Sequence, residues 1–117
     1  MKIYVGYDTR EDIAYQVCEY SAIKHSKDAE VIPLNQTRLR QDKWYWRELD
    51  KLASTEFTFT RFLVPALANY KGWALFCDSD VVFLTDVQEL FDQADDKYAV
   101  MCCLLYTSDA ADDFTSV

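Results

Sequence analysis

The chain has 117 residues and a formal net charge of −8; half of its residues are hydrophobic and 15% are aromatic. This is a globular rather than a disordered composition, long enough for one domain with one real core. The negative charge argues against nucleic-acid binding through a general basic surface. No apolar run approaches the roughly 20 residues that cross a bilayer, so no transmembrane segment is expected.

Residues 2–7 form an apolar run read as a strand rather than a leader peptide. Gly6 lets the backbone turn or pass close to another group. Asp8, with Glu11 three residues later, has the spacing of a capping box and opens a helix predicted over 9–26. Ile13, Val17, Tyr20 and Lys24 mark one side of it. Glu11 and Asp12 near its start, and Lys24, His25 and Lys27 near its end, suit the helix dipole. Residues 29–34 are a second strand, so strand, helix and strand imply a parallel βαβ unit.

Residues 35–54 show no clear period. They are expected as a long surface loop with one short helical piece, carrying the aromatic cluster Trp44, Tyr45 and Trp46. A second long helix is predicted from 55 or 56 to 70, with a kink at Pro65, which lacks the N–H that would reach the Arg61 carbonyl. Residues 73–77 have the length and composition of a strand buried on both faces. Thr85 is the expected N-cap of a third helix over 86–94, with Gln88 completing a capping box. A further buried strand is expected at 98–102.

The four cysteines, Cys18, Cys77, Cys102 and Cys103, show no C-x-x-C spacing. They lie in apolar segments as small reduced hydrophobes, which points to the cytoplasm. The tail 103–117 is small and acidic and is expected to be non-native or disordered. Its stretch L-L-Y-T-S-D-A-A-D-D is similar to a translated sequencing-adapter sequence.

The chemistry centres on G-W-A-L-F-C-D-S-D-V-V-F-L, residues 72–84, where Asp78 and Asp80 interrupt an apolar run. Ionised carboxylates cost several kcal/mol each to bury unless compensated. A hard divalent cation, Mn²⁺ or Mg²⁺, would compensate both. Asp8 is read both as an N-cap and as an acceptor for a nucleotide base or ribose, with Gly6 and Tyr7 beside it. Arg61 is read as a phosphate donor or a structural ion pair. His25 is not read as a ligand. Cys77 has no histidine partner suggested by the sequence, so no catalytic residue is assigned.

Three segments in this order, I-Y-V-G-Y-D (3–8), F-T-R-F-L-V-P (59–65) and W-A-L-F-C-D-S-D-V-V-F (73–83), resemble GT-A-fold glycosyltransferases of the glycogenin-like and lipopolysaccharide-galactosyltransferase-like group. The resemblance covers about residues 1–102. It implies a Rossmann-like α/β fold: the nucleotide-binding half of a GT-A domain, truncated, with a mostly parallel sheet and flanking helices. It implies a nucleotide-diphosphate sugar donor, linked to uridine diphosphate, with an acceptor hydroxyl as the second partner. By position, Asp78 and Asp80 would hold the metal. Gly6, Tyr7, Asp8, Arg61, Asp78 and Ser79 would line the donor site. No histidine follows Asp80, so the later histidine ligand of that group is absent, and the chain is expected to be inactive or weakly active as it stands.

Two other readings stand beside this one. In a haloacid-dehalogenase-like phosphatase, Asp78 would be the nucleophile and Asp80 the acid/base, although that motif normally opens its fold. In a non-enzymatic α/β binding domain, the acids are simply solvated.

Overall fold

A computed structural model describes residues 1–45 and 56–102. Trp46 and the tail 103–117 lie outside the described residues, so the readings made of them are untouched. Strand β1 (Lys2–Gly6) is followed by a 3-10 turn (Thr9–Glu11), helix α1 (Asp12–His25), strand β2 (Glu30–Leu34) and helix α2 (Gln36–Gln41). A second 3-10 turn (Thr60–Leu63) runs into the short helix α3 (Val64–Leu67). Strand β3 (Ala74–Cys77) and the short helix α4 (Gln88–Phe91) complete the order. The expected α/β fold is present: a three-stranded sheet in the order β2-β1-β3, parallel throughout, with helices on its faces.

Alternation along β1 divides the core. Ile3 and Val5 point to one face and pack with Tyr15, Cys18 and Ala22 of α1 and with Val87. Tyr4 points to the other face and packs with Leu34, Leu39 and Tyr45, against which Phe59, Leu63, Val64 and Leu67 are laid. The central strand is therefore covered on both sides, as parallel strands require.

Helix α1 buries a different side from the one the apolar spacing marks. Tyr15, Cys18, Ser21 and Ala22 are inward, whereas Ile13, Val17 and Tyr20 face solvent. The inward residues at 18, 21 and 22 are small, so the helix can lie close to Ile3 and Val5. The segment after β3 is then fastened to α1 by two buried serines. Ser21 Oγ accepts from the Phe83 N–H at 2.9 Å, and Ser26 Oγ accepts from the Val87 N–H at 2.8 Å. Phe83 and Val87 are in no sheet, so these hydroxyls provide partners that a ladder would otherwise supply.

The second long helix is not continuous. Pro65 falls in the first turn of α3, where its missing N–H has no intrahelical partner to lose. The proline thus starts a helix instead of kinking one. Asn69, Tyr70 and Gly72 have positive φ and end the segment before β3. Further on, Asp86 rather than Thr85 satisfies the start of α4, its Oδ1 accepting from the Gln88 N–H at 2.9 Å. The strand expected at 98–102 is not formed: Tyr98, Val100 and Met101 are exposed and have no ladder partner among the described residues. The turn at 95–97, closed by the Tyr98 N–H on the Asp95 carbonyl, precedes this exposed run.

Replacing Ser26 with Ala leaves the buried Val87 N–H without its acceptor. It should cost about 1–3 kcal/mol in denaturant unfolding, whereas Lys27→Ala at the exposed neighbouring position should be neutral within about 0.5 kcal/mol. A neutral Ser26→Ala would show that this tie contributes nothing.

Candidate functional site

Strand order β2-β1-β3 means that the chain leaves β1 toward one side for β2 and returns to the other side for β3. Open α/β sheets bind ligands outside the carboxyl ends of strands at such a reversal. Here the reversal lies between β1 and β3, whose last paired residues are Val5 and Cys77. Gly6, Tyr7 and Asp8 leave that edge from one strand, and Asp78, Ser79 and Asp80 from the other. The sequence-predicted residues 6–8 and 78–80 are therefore brought to one edge.

Asp8 is 1% exposed and its carboxylate is fully engaged. Oδ1 accepts from the Arg10 N–H at 2.9 Å and from Arg10 Nε at 2.8 Å. Oδ2 accepts from the other end of the same guanidinium and from the Glu56 N–H at 3.1 Å. The Glu56 carboxylate returns the contact, accepting from the Thr9 N–H at 2.9 Å and the Thr9 hydroxyl at 2.8 Å. The N-cap role is thus realised through Arg10. The same four bonds use the lone pairs that a ribose or base would need. The side-chain hydrogen bond from Arg10 holds the Asp8 carboxyl well below the usual carboxylate range; burial opposes this, and the two backbone N–H groups assist. Glu56, 48 positions away, had no signal in the sequence.

Gly6 serves packing. A Cβ there would lie 2.4 Å from Cδ1 of Phe57, whose ring covers the strand end. Tyr7 donates its hydroxyl to Asp12 Oδ1 and sets its ring edge-on to Tyr15 at 5.4 Å; the hydrogen bond to Asp12 raises its pKa. Arg61 is exposed, its Nε donating to the Thr58 carbonyl at 3.0 Å and its guanidinium 5.9 Å from the Phe62 ring centre. No contact brings it to the acid pair. Of the aromatic cluster, Tyr45 is buried, with the Arg40 guanidinium 4.8 Å from its ring centre.

Asp78 and Asp80 are exposed, and Ser79 between them is buried. Strand β3 is only half-buried along its length, because it is an edge strand among the described residues. The premise that these acids sit in apolar surroundings is therefore corrected: water solvates both, and no cation is needed to justify their charge. Among the described residues no group of three or more His, Cys, Asp or Glu side chains converges to hold a metal ion. The metal-binding reading of the pair as a protein-built manganese centre is corrected with it.

The geometry defines a parallel α/β segment with an acidic carboxyl edge. The chain is 54% identical over 102 residues to Protein CDI of Arabidopsis thaliana, an alignment taking in 86% of this chain and 39% of that protein. The chain thus spans about two fifths of the length of its relative. No protein-family model matches the chain, and no solved structure matches it. The similarity leads to Protein CDI and not to a glycosyltransferase, so the resemblance to the glycogenin-like and lipopolysaccharide-galactosyltransferase-like group, and the sugar-transfer function it implied, are corrected. The phosphatase alternative gains nothing from the comparison. Among the described residues no helix is long and apolar enough to cross a membrane.

Two substitutions test this edge. Gly6→Ala should destabilise the protein by about 1–3 kcal/mol through overpacking against Phe57, and the penalty should shrink in a Phe57→Leu background because the two sites share one contact. An undiminished penalty would place the clash elsewhere. Asp8→Asn should cost about 2 kcal/mol at pH 7. The folded pKa of Asp8 is depressed, so its stabilisation is complete above the ordinary carboxylate range and is lost as pH falls through and below it. The difference between wild type and Asp8→Asn in urea unfolding should therefore narrow below about pH 4. A gap that stays constant with pH would contradict the assignment.

Proposed function

We propose that this chain is the ligand-binding portion of a longer α/β protein, and that the crevice between the carboxyl ends of β1 and β3 takes a nucleotide diphosphate accompanied by a divalent cation. The observation that carries the reading is the strand order, which puts the topological switch point between these two strands. The residues at that edge agree with it in charge and exposure. Arg10, tied to Asp8, keeps 64% of its side chain exposed beside the edge. Asp78 and Asp80, two residues apart directly after β3, are exposed oxygen donors.

Mg²⁺ is commonly held by one or two carboxylates together with the phosphates of its ligand, rather than by an all-protein cage. Two solvated carboxylates fit that arrangement, and they do not amount to a stand-alone metal centre. The cation would supply charge neutralisation between acids and phosphates that otherwise repel. Asp78 and Asp80 would hold it, while Arg10 would donate to a phosphate oxygen. Asp8 positions Arg10 and does not itself meet the ligand. No bond-making step is assigned to any residue.

A second reading is favoured by the exposure of the same acids: a solvated edge with no ligand. Calorimetric titration of the chain with UDP, ADP and GDP, each with and without Mg²⁺, separates the two. The proposal expects saturable binding that requires the cation and weakens about tenfold in Asp80→Asn, equivalent to ~1.4 kcal/mol. The melting temperature of that variant should be unchanged, because the residue is exposed. Absence of binding to all three nucleotides, or identical affinity in Asp78→Asn/Asp80→Asn, would overturn it.

A further inference from the structure

On the β2 side of the sheet, away from the acids that follow β3, lies a cavity of about 600 Å³. Small-molecule sites are commonly about 300–1,000 Å³, mostly apolar, with a few polar groups placed among the apolar ones. Tyr4, Ile32 and Leu34 from the sheet, Leu39 from α2 and Leu67 from α3 give this cavity apolar walls. Trp44, 42% exposed, adds an indole to the lining.

Two polar groups of this lining are unmatched. Tyr4 is 2% exposed, yet its hydroxyl makes no hydrogen bond among the described residues. Buried tyrosine hydroxyls usually find a partner, and a phenylalanine would fill the same ring position without leaving one unpaired. Burial, and after it the charge of Glu30, raise the pKa of the phenol, so it remains a proton donor. Lys2 is exposed and lies on the same face of β1 as Tyr4, two residues or about 7 Å along the strand. Glu30 stands opposite Lys2 in the register, but Lys2 forms no ion pair among the described residues. The other charges of the lining, Arg38 and Asp42, meet one another at 3.5 Å. A buried donor and an unpaired cation therefore border one apolar space.

We propose that this cavity is a binding site for a planar aromatic carboxylate. The ring system of the ligand lies among Leu34, Leu39, Leu67 and Trp44, and its carboxylate accepts from the Tyr4 hydroxyl and pairs with the Lys2 ammonium. Apolar walls reward burial of a ring, and an indole offers it a stacking surface. A carboxylate matches both unmatched groups at once, and a hydrogen bond to a charged acceptor is stronger than one to a neutral acceptor. A nucleoside diphosphate is a poor match here. Its phosphates would meet one unpaired cation with Asp42 and Glu30 nearby, and like charges repel. The site uses no residue of the β1–β3 carboxyl edge, so the inference is independent of the nucleotide reading.

The test is calorimetric titration of the full 117-residue chain with benzoate, 4-hydroxycinnamate and 2-naphthoate, and with 2-naphthamide as the uncharged counterpart of the last. The proposal expects saturable binding of 2-naphthoate, with the amide bound about tenfold more weakly. Tyr4→Phe and Lys2→Gln should each weaken the acid by about tenfold. Tyr4→Phe should also melt at or above the wild-type temperature, because the hydroxyl it removes has no partner to lose. The acid–amide comparison needs no substitution, so it stands even if a variant fails to fold. Absence of saturable binding by all three acids, equal affinity for the amide, or unchanged affinity in either variant would overturn the proposal. A lowered melting temperature in Tyr4→Phe would show that the hydroxyl is already matched within the protein, and would overturn it equally.

Discussion

The buried carboxylate of Asp8 governs what the carboxyl edge of this sheet can be. A single charged side chain at the end of the central strand gathers the guanidinium and backbone of Arg10 and the backbone of Glu56, and Glu56 closes the loop through Thr9. A buried charge persists only when its acceptor sites are filled, and here they are filled entirely by the chain itself. That arrangement fixes the turn after β1, holds the Arg10 guanidinium against Asp8 and anchors the segment whose Phe57 ring lies over Gly6. It also removes Asp8 from the pool of groups free to meet a ligand.

The contrast with β3 is instructive. Both strands end in aspartates at the same edge, yet one is buried and saturated while the other two are solvated. The difference follows from position in the sheet. The central strand is covered on both faces by α1 and by the 59–68 segment, so the chain leaving it is still under cover. The edge strand is half-exposed and the chain leaving it emerges into water. An apolar run around two acids in a sequence does not distinguish these cases; here the acids follow the edge strand and are solvated, so burial does not call for a metal.

The fold class was legible because it rests on local signals: the β-branched and aromatic run at 3–5, the capping aspartate, the second short apolar run and the strand at 74–77. The helices were less so. The inward face of α1 is made of small residues whose role is closeness, and small residues carry little hydrophobic signal compared with Ile13, Val17 and Tyr20 on the outside. Pro65 was visible, but whether a proline kinks a helix or begins one depends on the turn before it. At the site, the residues reaching the edge were readable from their place after each strand. Their partners were not, because Arg10 to Asp8 depends on a turn geometry and Glu56 and Phe57 arrive from a distant segment.

The central claim is that the working surface of this chain is the β1–β3 carboxyl edge. Backbone amide chemical shifts recorded by NMR during addition of a magnesium nucleotide diphosphate would test it most directly. The account predicts progressive shifts confined to residues 6–10 and 77–80, with β2 and α2 unmoved. Shifts concentrated instead around β2, Arg38 and Trp44, where a separate cavity of about 600 Å³ lies, or no shifts at all, would contradict it.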